Sequence, residues 1–129
     1  MRMNEISFDG PPPIDSYFEG GFRIAGAPHF GSALLIGAEV LPWSVDAPVQ
    51  LSAAVFHPAF ERAAAFDVLL IGMGAEIAPL PAGLREAFAE HGVGAEFMAT
   101  PAACRTYNVL LSEGRRVAAA LIAIVASSR

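Results

Sequence analysis

The sequence predicts a mixed α/β (α+β) fold in a single domain, an N-terminal antiparallel β-meander followed by a βαβαβ half. Three observations predict it. The first half is a series of short apolar runs cut by glycine, proline and acidic turn residues. The second half alternates compact apolar runs with segments of helical spacing. The 129 residues are 54% hydrophobic and only 16% charged, enough to build one core without staples.

Residues 1–13, ending in Pro11-Pro12-Pro13, read as an extended lead-in, residues 14–126 as the domain and residues 127–129 as a tail. Ile14 to Phe18 and Phe22 to Ala25 flank Glu19-Gly20-Gly21, a hairpin turn because paired glycines accept positive φ. Phe30 to Ile36 and Glu39 to Trp43 continue the meander, separated at Gly37. From Pro58 to Ala65, the spacing of Phe60 and Ala63 or Ala64 and a first-turn proline predict a short helix.

Val68 to Gly72 (VLLIG) has the pattern of a buried strand. Leu84, Ala87, Phe88 and His91 recur at i, i+3, i+4, i+7, which predicts a helix from Ala82 to His91 stopped by Gly92. Ala95 to Met98 is a second short strand. Thr100 is placed as the cap of a further helix, with Pro101 at its first position and Gly114 past its end. Arg116 to Val125 is a closing strand. The order strand–helix–strand–helix–strand predicts right-handed crossovers and some parallel pairing.

The totals exclude several functions. The net charge is −5 with no basic run, so the footprint that neutralises phosphates is missing and nucleic acid is not an expected partner. The longest apolar run, VAAALIAIVA at 117–126, covers about half of a bilayer core as a helix, so no membrane insertion is expected. The start of the chain carries Glu5, Asp9 and three prolines where a secretion signal has an apolar core. A lone cysteine fits a reducing compartment, and a cytoplasmic chain is expected.

Candidate chemistry concentrates in TPAACRTYNVLLSEGR, residues 100–115. Cys104 lies within about one turn of a predicted helix start, where backbone N–H groups and Arg105 favour a thiolate, making it a candidate nucleophile. The opposing reading places it on the apolar stripe Ala103, Cys104, Tyr107, Leu110 and Leu111 as a small core residue. Asn108 is a poor mid-helix residue, so its amide needs a partner, a ligand or a neighbouring backbone. Arg105 either pairs with a carboxylate or binds an anion.

Gly72-Met73-Gly74 follows a strand as a phosphate-binding turn would, but Ile77 stands where the third glycine of a dinucleotide fingerprint belongs, and no cofactor is implied. If strands 68–72 and 95–98 are parallel, Gly72, Gly74 and Thr100 share the sheet edge where α/β proteins place ligands. With Arg105 and Asn108 they form a candidate anion or ligand site. The three histidines make no metal spacing with each other or with Cys104, so no metal is expected.

FEGGFRI at 18–24, Trp43, LLIGMG at 69–74 and ATPAACRTYNVLLSEGRRVAAALI at 99–122 closely resemble the Mth-like small-domain family, which includes mitochondrial complex I assembly factor 3 and the adipogenesis-associated Mth-like domain protein. The resemblance covers nearly the whole chain from Ile14. It implies a three-layer β/β/α arrangement, in agreement with the meander and βαβαβ pattern. The matching positions are Gly20, Gly21, Phe22, Arg23, Gly72, Gly74, Cys104, Arg105, Thr106, Tyr107 and Asn108, none with a catalytic role in the family. What it implies for function is a non-enzymatic protein-interaction or assembly domain with a protein partner. The alternatives are a ligand binder or enzyme using the Gly72–Gly74 turn, and a homo-oligomeric structural domain.

Overall fold

The computed structural model describes residues 6–125; the first five residues of the expected lead-in, the end of the expected domain at 126 and the tail at 127–129 lie outside the described residues. Among the described residues nine strands and three α-helices follow in order: β1 (Ile6–Ser7), β2 (Ile14–Phe18), β3 (Gly21–Ile24), β4 (Ala27–Phe30), β5 (Ser32–Ile36), β6 (Glu39–Trp43), α1 (His57–Glu61), β7 (Val68–Gly72), α2 (Leu84–Glu90), β8 (Ala95–Met98), α3 (Thr100–Ser112) and β9 (Val117–Leu121). Short 3₁₀ turns at Pro48–Gln50, Ala53–Phe56 and Ala63–Ala65 surround α1.

The strands form two sheets, one of order β1-β6-β5-β9-β7-β8 and one of order β2-β3-β4. The meander is therefore divided rather than continuous. The expected strand Phe30 to Ile36 breaks at Gly31, where φ of +88° turns the chain out of the small sheet and into the large one. The two pieces have opposite fates. Phe30 is 79% exposed, whereas every residue of β5 is buried between layers.

In the βαβαβ half, β7 pairs in parallel with both β8 and β9, while β5 closes antiparallel on β9. From β7 the chain steps outward to β8, then back past β7 to β9. Two crossovers of one hand that travel in opposite directions must lie on opposite faces of the sheet. They do. Leu84 and Phe88 of α2 pack with Leu34, Leu69, Ile71 and Ala120 on one face. Ala103, Cys104 and Tyr107 of α3 pack with Leu35, Leu70, Ala119 and Leu121 on the other. The small sheet shares α3's face through Ile14, Phe22 and Ile24. The architecture is the expected three-layer β/β/α, with α3 lying beside the small sheet.

Both longer helices stop where their glycines predict, by the same bonds. After α2, the Gly92 N–H donates to Ala89 O and the Val93 N–H to Phe88 O. After α3, Gly114 donates to Leu111 O and Arg115 to Leu110 O. Each is a Schellman ending, which satisfies carbonyls that the helix leaves open.

Three boundaries differ from expectation. The helix expected over Pro58 to Ala65 is α1 at His57–Glu61 plus a separate 3₁₀ turn, with Arg62 at φ −112° between them. The guanidinium of Arg62 reaches across to Glu39 of β6 at 2.6 Å. The strand expected to run to Val125 loses its ladder at Leu121, and residues 122–124 are held instead by single bonds to Gly72, Thr100, Ser32 and Gly20. Thr100 is not a cap: Ala99 occupies that position without a side-chain bond, and Thr100 is the first helical residue.

Candidate functional site

The carboxyl ends of β7, β8 and β9 meet at one edge, where Gly72, Met98 and Leu121 are in register. Thr100 ties the three together. Its hydroxyl donates to Ile122 O at 2.7 Å and accepts the Gly74 N–H at 2.9 Å, while its own N–H donates to Gly74 O at 2.8 Å. The Ile122 N–H in turn donates to Gly72 O. Thr100 is fully buried, and α3 arrives so close to β7 that only glycine fits at 72. A Cβ there would stand 2.8 Å from Thr100 Oγ1 and 2.9 Å from its Cα.

The two loops of the expected anion site do share an edge, and their polar groups bond each other. The remaining residues of that constellation lie elsewhere. Arg105 is exposed on α3 and does not line the groove at this edge. Asn108 acts as a strand would: its Oδ1 accepts the Ile14 N–H at 2.9 Å and its Nδ2 donates to Ile14 O at 2.6 Å. Tyr107 similarly donates to Pro12 O at 2.9 Å, and burial pushes its phenol up from the usual value. Burial pushes the Cys104 thiol up to about 12, against a smaller opposing pull from the Arg105 charge. Cys104 is buried in a cluster with Leu70, Tyr107 and Leu121, surroundings that favour a neutral thiol over an exposed thiolate.

What the edge leaves open is a groove of about 260 Å³, lined by Asp46, Ala47, Pro48, Met73 to Glu76 and Ile122 to Val125. Met73, Gly74 and Ile122 are buried and form its floor, and Asp46, Glu76 and Val125 are exposed at its rim. A second depression of about 260 Å³ adjoins it through Ile124 and is lined by Tyr17, Phe18 and Glu19. The ridge between the two, residues 122–125, is pinned from both sides: Ser32 Oγ accepts the Ala123 N–H at 2.9 Å, and the Gly20 N–H donates to Ile124 O at 2.8 Å.

The small-sheet motif thus has a local purpose. Gly21 lies opposite both Phe18 and Phe30, and its lack of a side chain lets those rings meet edge to face at 5.8 Å.

Asp46 and Glu76 gave no signal in the sequence, because each is a lone acid in a loop of uncertain course. The usable clue was the Gly-Met-Gly turn followed by an acid and a proline-delayed helix, at the edge the topology already favoured. Among the described residues no group of three or more His, Cys, Asp or Glu side chains clusters as metal ligands, and no helix is long and apolar enough to cross a membrane.

Comparison with known proteins gives this scaffold a lineage. A family described as "Protein of unknown function (DUF498/DUF598)" matches residues 14–122. The chain belongs to that family. An uncharacterized protein of Rhodobacter capsulatus is 47% identical over 95% of this chain and 93% of its own length. NADH dehydrogenase [ubiquinone] 1 alpha subcomplex assembly factor 3 of Danio rerio is 35% identical over 90% of this chain. The match spans 67% of that protein and 59% of its human counterpart.

Among solved family structures, one titled an outer membrane protein from Bartonella henselae superposes with a TM-score of 0.82 at 40% identity, covering 91% of this chain and 98% of that one. A Bordetella pertussis protein described as a Mth938-like domain gives 0.75 at 26% identity, covering 95% and 92%. These neighbours share the mixed α/β architecture described above.

Proposed function

We propose that this protein is a protein-interaction domain that assists assembly of a respiratory NADH dehydrogenase, acting in the cytoplasm without chemistry of its own. The observation that carries the reading is the 35% identity to assembly factor 3 over 90% of this chain, which takes in both sheets and all three helices. The surface suits the role. Tyr17, Phe30, Val49, Ile77, Val109 and Val125 are large apolar side chains left exposed, and solvent-facing aromatic and aliphatic groups are what a protein partner covers.

Deleting the gene in its source organism tests this. The expected result is less assembled NADH dehydrogenase on native gels and slower NADH-driven respiration, with succinate-driven respiration unchanged. Normal levels of the assembled enzyme in the deletion strain would overturn the reading.

A further inference from the structure

We propose that the groove at the carboxyl ends of β7 and β9 receives an extended segment of a partner protein, with an arginine or lysine held by Asp46 and Glu76 and an apolar residue two positions away seated along the 122–125 ridge. The inference rests on the protein-interaction reading and gives that interaction a place and a chemistry.

Charge argues first. The chain has eight basic and thirteen acidic residues, and none of the basic ones lines this groove. The described ion pairs lie elsewhere, Glu39 and Glu61 with Arg62, Glu61 also with His57, and Asp67 with Arg116. Among the described residues neither Asp46 nor Glu76 has a cationic partner. Two carboxylates at the rim of an apolar groove, on a chain of net charge −5, attract a cation and repel an acidic segment.

Shape argues next. Small-molecule sites run to about 300–1,000 Å³. Each depression here is smaller, about 260 Å³, and the two adjoin at Ile124. Two small adjoining hollows fit alternate side chains of an extended peptide, which share one face, better than one compact ligand. The apolar material continues past the second hollow through Phe18 to Phe30, which gives the flanking side chains a surface to cover.

The probe is a blocked pentapeptide with leucine second, arginine fourth and alanine elsewhere, which puts leucine and arginine on one face of an extended chain; it is titrated into the full-length ¹⁵N-labelled protein, with glutamate replacing arginine in the control. The expected result is saturable amide shifts at Asp46, Ala47, Gly74 to Glu76 and Ala123 to Val125, weakened by salt and absent with the control. Asp46→Lys with Glu76→Lys should weaken binding roughly tenfold or more. Both side chains are exposed, so an unchanged melting temperature will show that the variant is folded.

Equal binding of the glutamate peptide, shifts confined to another surface, no saturable shifts, or full binding by the reversed variant would each overturn the proposal. The two readings fail separately. If the reversed variant restores NADH dehydrogenase assembly in a deletion strain as well as wild type does, the groove is wrong and the assembly role stands. If the deletion strain is normal while the peptide still fills the groove, the assembly role is wrong and the groove stands.

Discussion

Replacing Thr100 with valine is the sharpest test of how the sheet edge is held. Valine keeps the shape and β-branching of threonine and removes only the hydroxyl, whose two bonds, to Ile122 O at 2.7 Å and from the Gly74 N–H at 2.9 Å, lie in a site without solvent. Leaving a buried donor or acceptor unpaired costs about 1–3 kcal/mol each, so the pair gives a loss of about 2–6 kcal/mol. Total stability of such a domain is about 5–15 kcal/mol. For a chain of this length each kcal/mol moves Tm by roughly 3–6 °C, so valine should lower it by about 6 °C or more. Thr100→Ser keeps the hydroxyl and loses one methyl, at about 1 kcal/mol. Urea unfolding of the three proteins should therefore rank threonine above serine above valine. Hydrophobic burial alone ranks valine above serine, so a valine variant as stable as wild type would refute the argument.

Gly72→Ala should cost about 1–3 kcal/mol by overpacking, because the added methyl meets the Thr100 backbone as well as its side chain; calorimetry checks it. Asn108→Ala should cost about 1–3 kcal/mol and speed hydrogen exchange at the Ile14 amide, since that amide and its carbonyl lose their partner together. The Cys104 thiol has a folded value near 12, raised from its usual 9.0 mainly by burial. The folded state therefore favours the neutral thiol, and stability is full below pH 9 and falls as pH rises from 9 toward 12. Iodoacetamide at pH 8 should leave the native thiol unmodified and label it rapidly in urea, while Cys104→Ala should flatten the alkaline slope. His29 titrates the other way. Its Nε2 is buried without a hydrogen-bond partner and desolvation lowers its pKa, so stability should fall as pH drops below about 6.5, less steeply in His29→Gln.

Most of the fold was legible because its signals are local. The i, i+3, i+4 stripe of Tyr107, Leu110 and Leu111, the glycines after α2 and α3, and the VLLIG run act through near neighbours, and each element formed where they point. The division of the meander was harder to read. Apolar spacing is the same whether Phe30 and Ser32 share a strand or belong to two sheets, and the turn at Gly31 is fixed by a bond to Gly20, eleven positions back. Thr100 misled for a related reason. A threonine followed by proline has the local form of a helix cap, but two long-range partners, Gly74 and Ile122, claim its hydroxyl. Cys104 was ambiguous because its sequence neighbours favour a thiolate, while its depth in the core depends on residues as distant as Ile14 and Leu121.

The groove depends on two of the motifs that carry the family resemblance, although they lie some eighty residues apart. Gly20 of FEGGFRI fixes Ile124, and Thr100 at the head of the TPAACRTYN block fixes Ile122. Between them stands the ridge that separates the two hollows, and the second motif also closes the base of the first hollow through Gly74. Neither motif offers a reacting group to solvent there: Thr100 is buried and Gly20 binds through its backbone. Residues of this kind shape a surface rather than perform a reaction. Their effect on function must pass through the position of the ridge. A Thr100 variant that folds with a loosened ridge should then lose peptide binding while Asp46 and Glu76 remain in place, which separates the scaffold's contribution from that of charge.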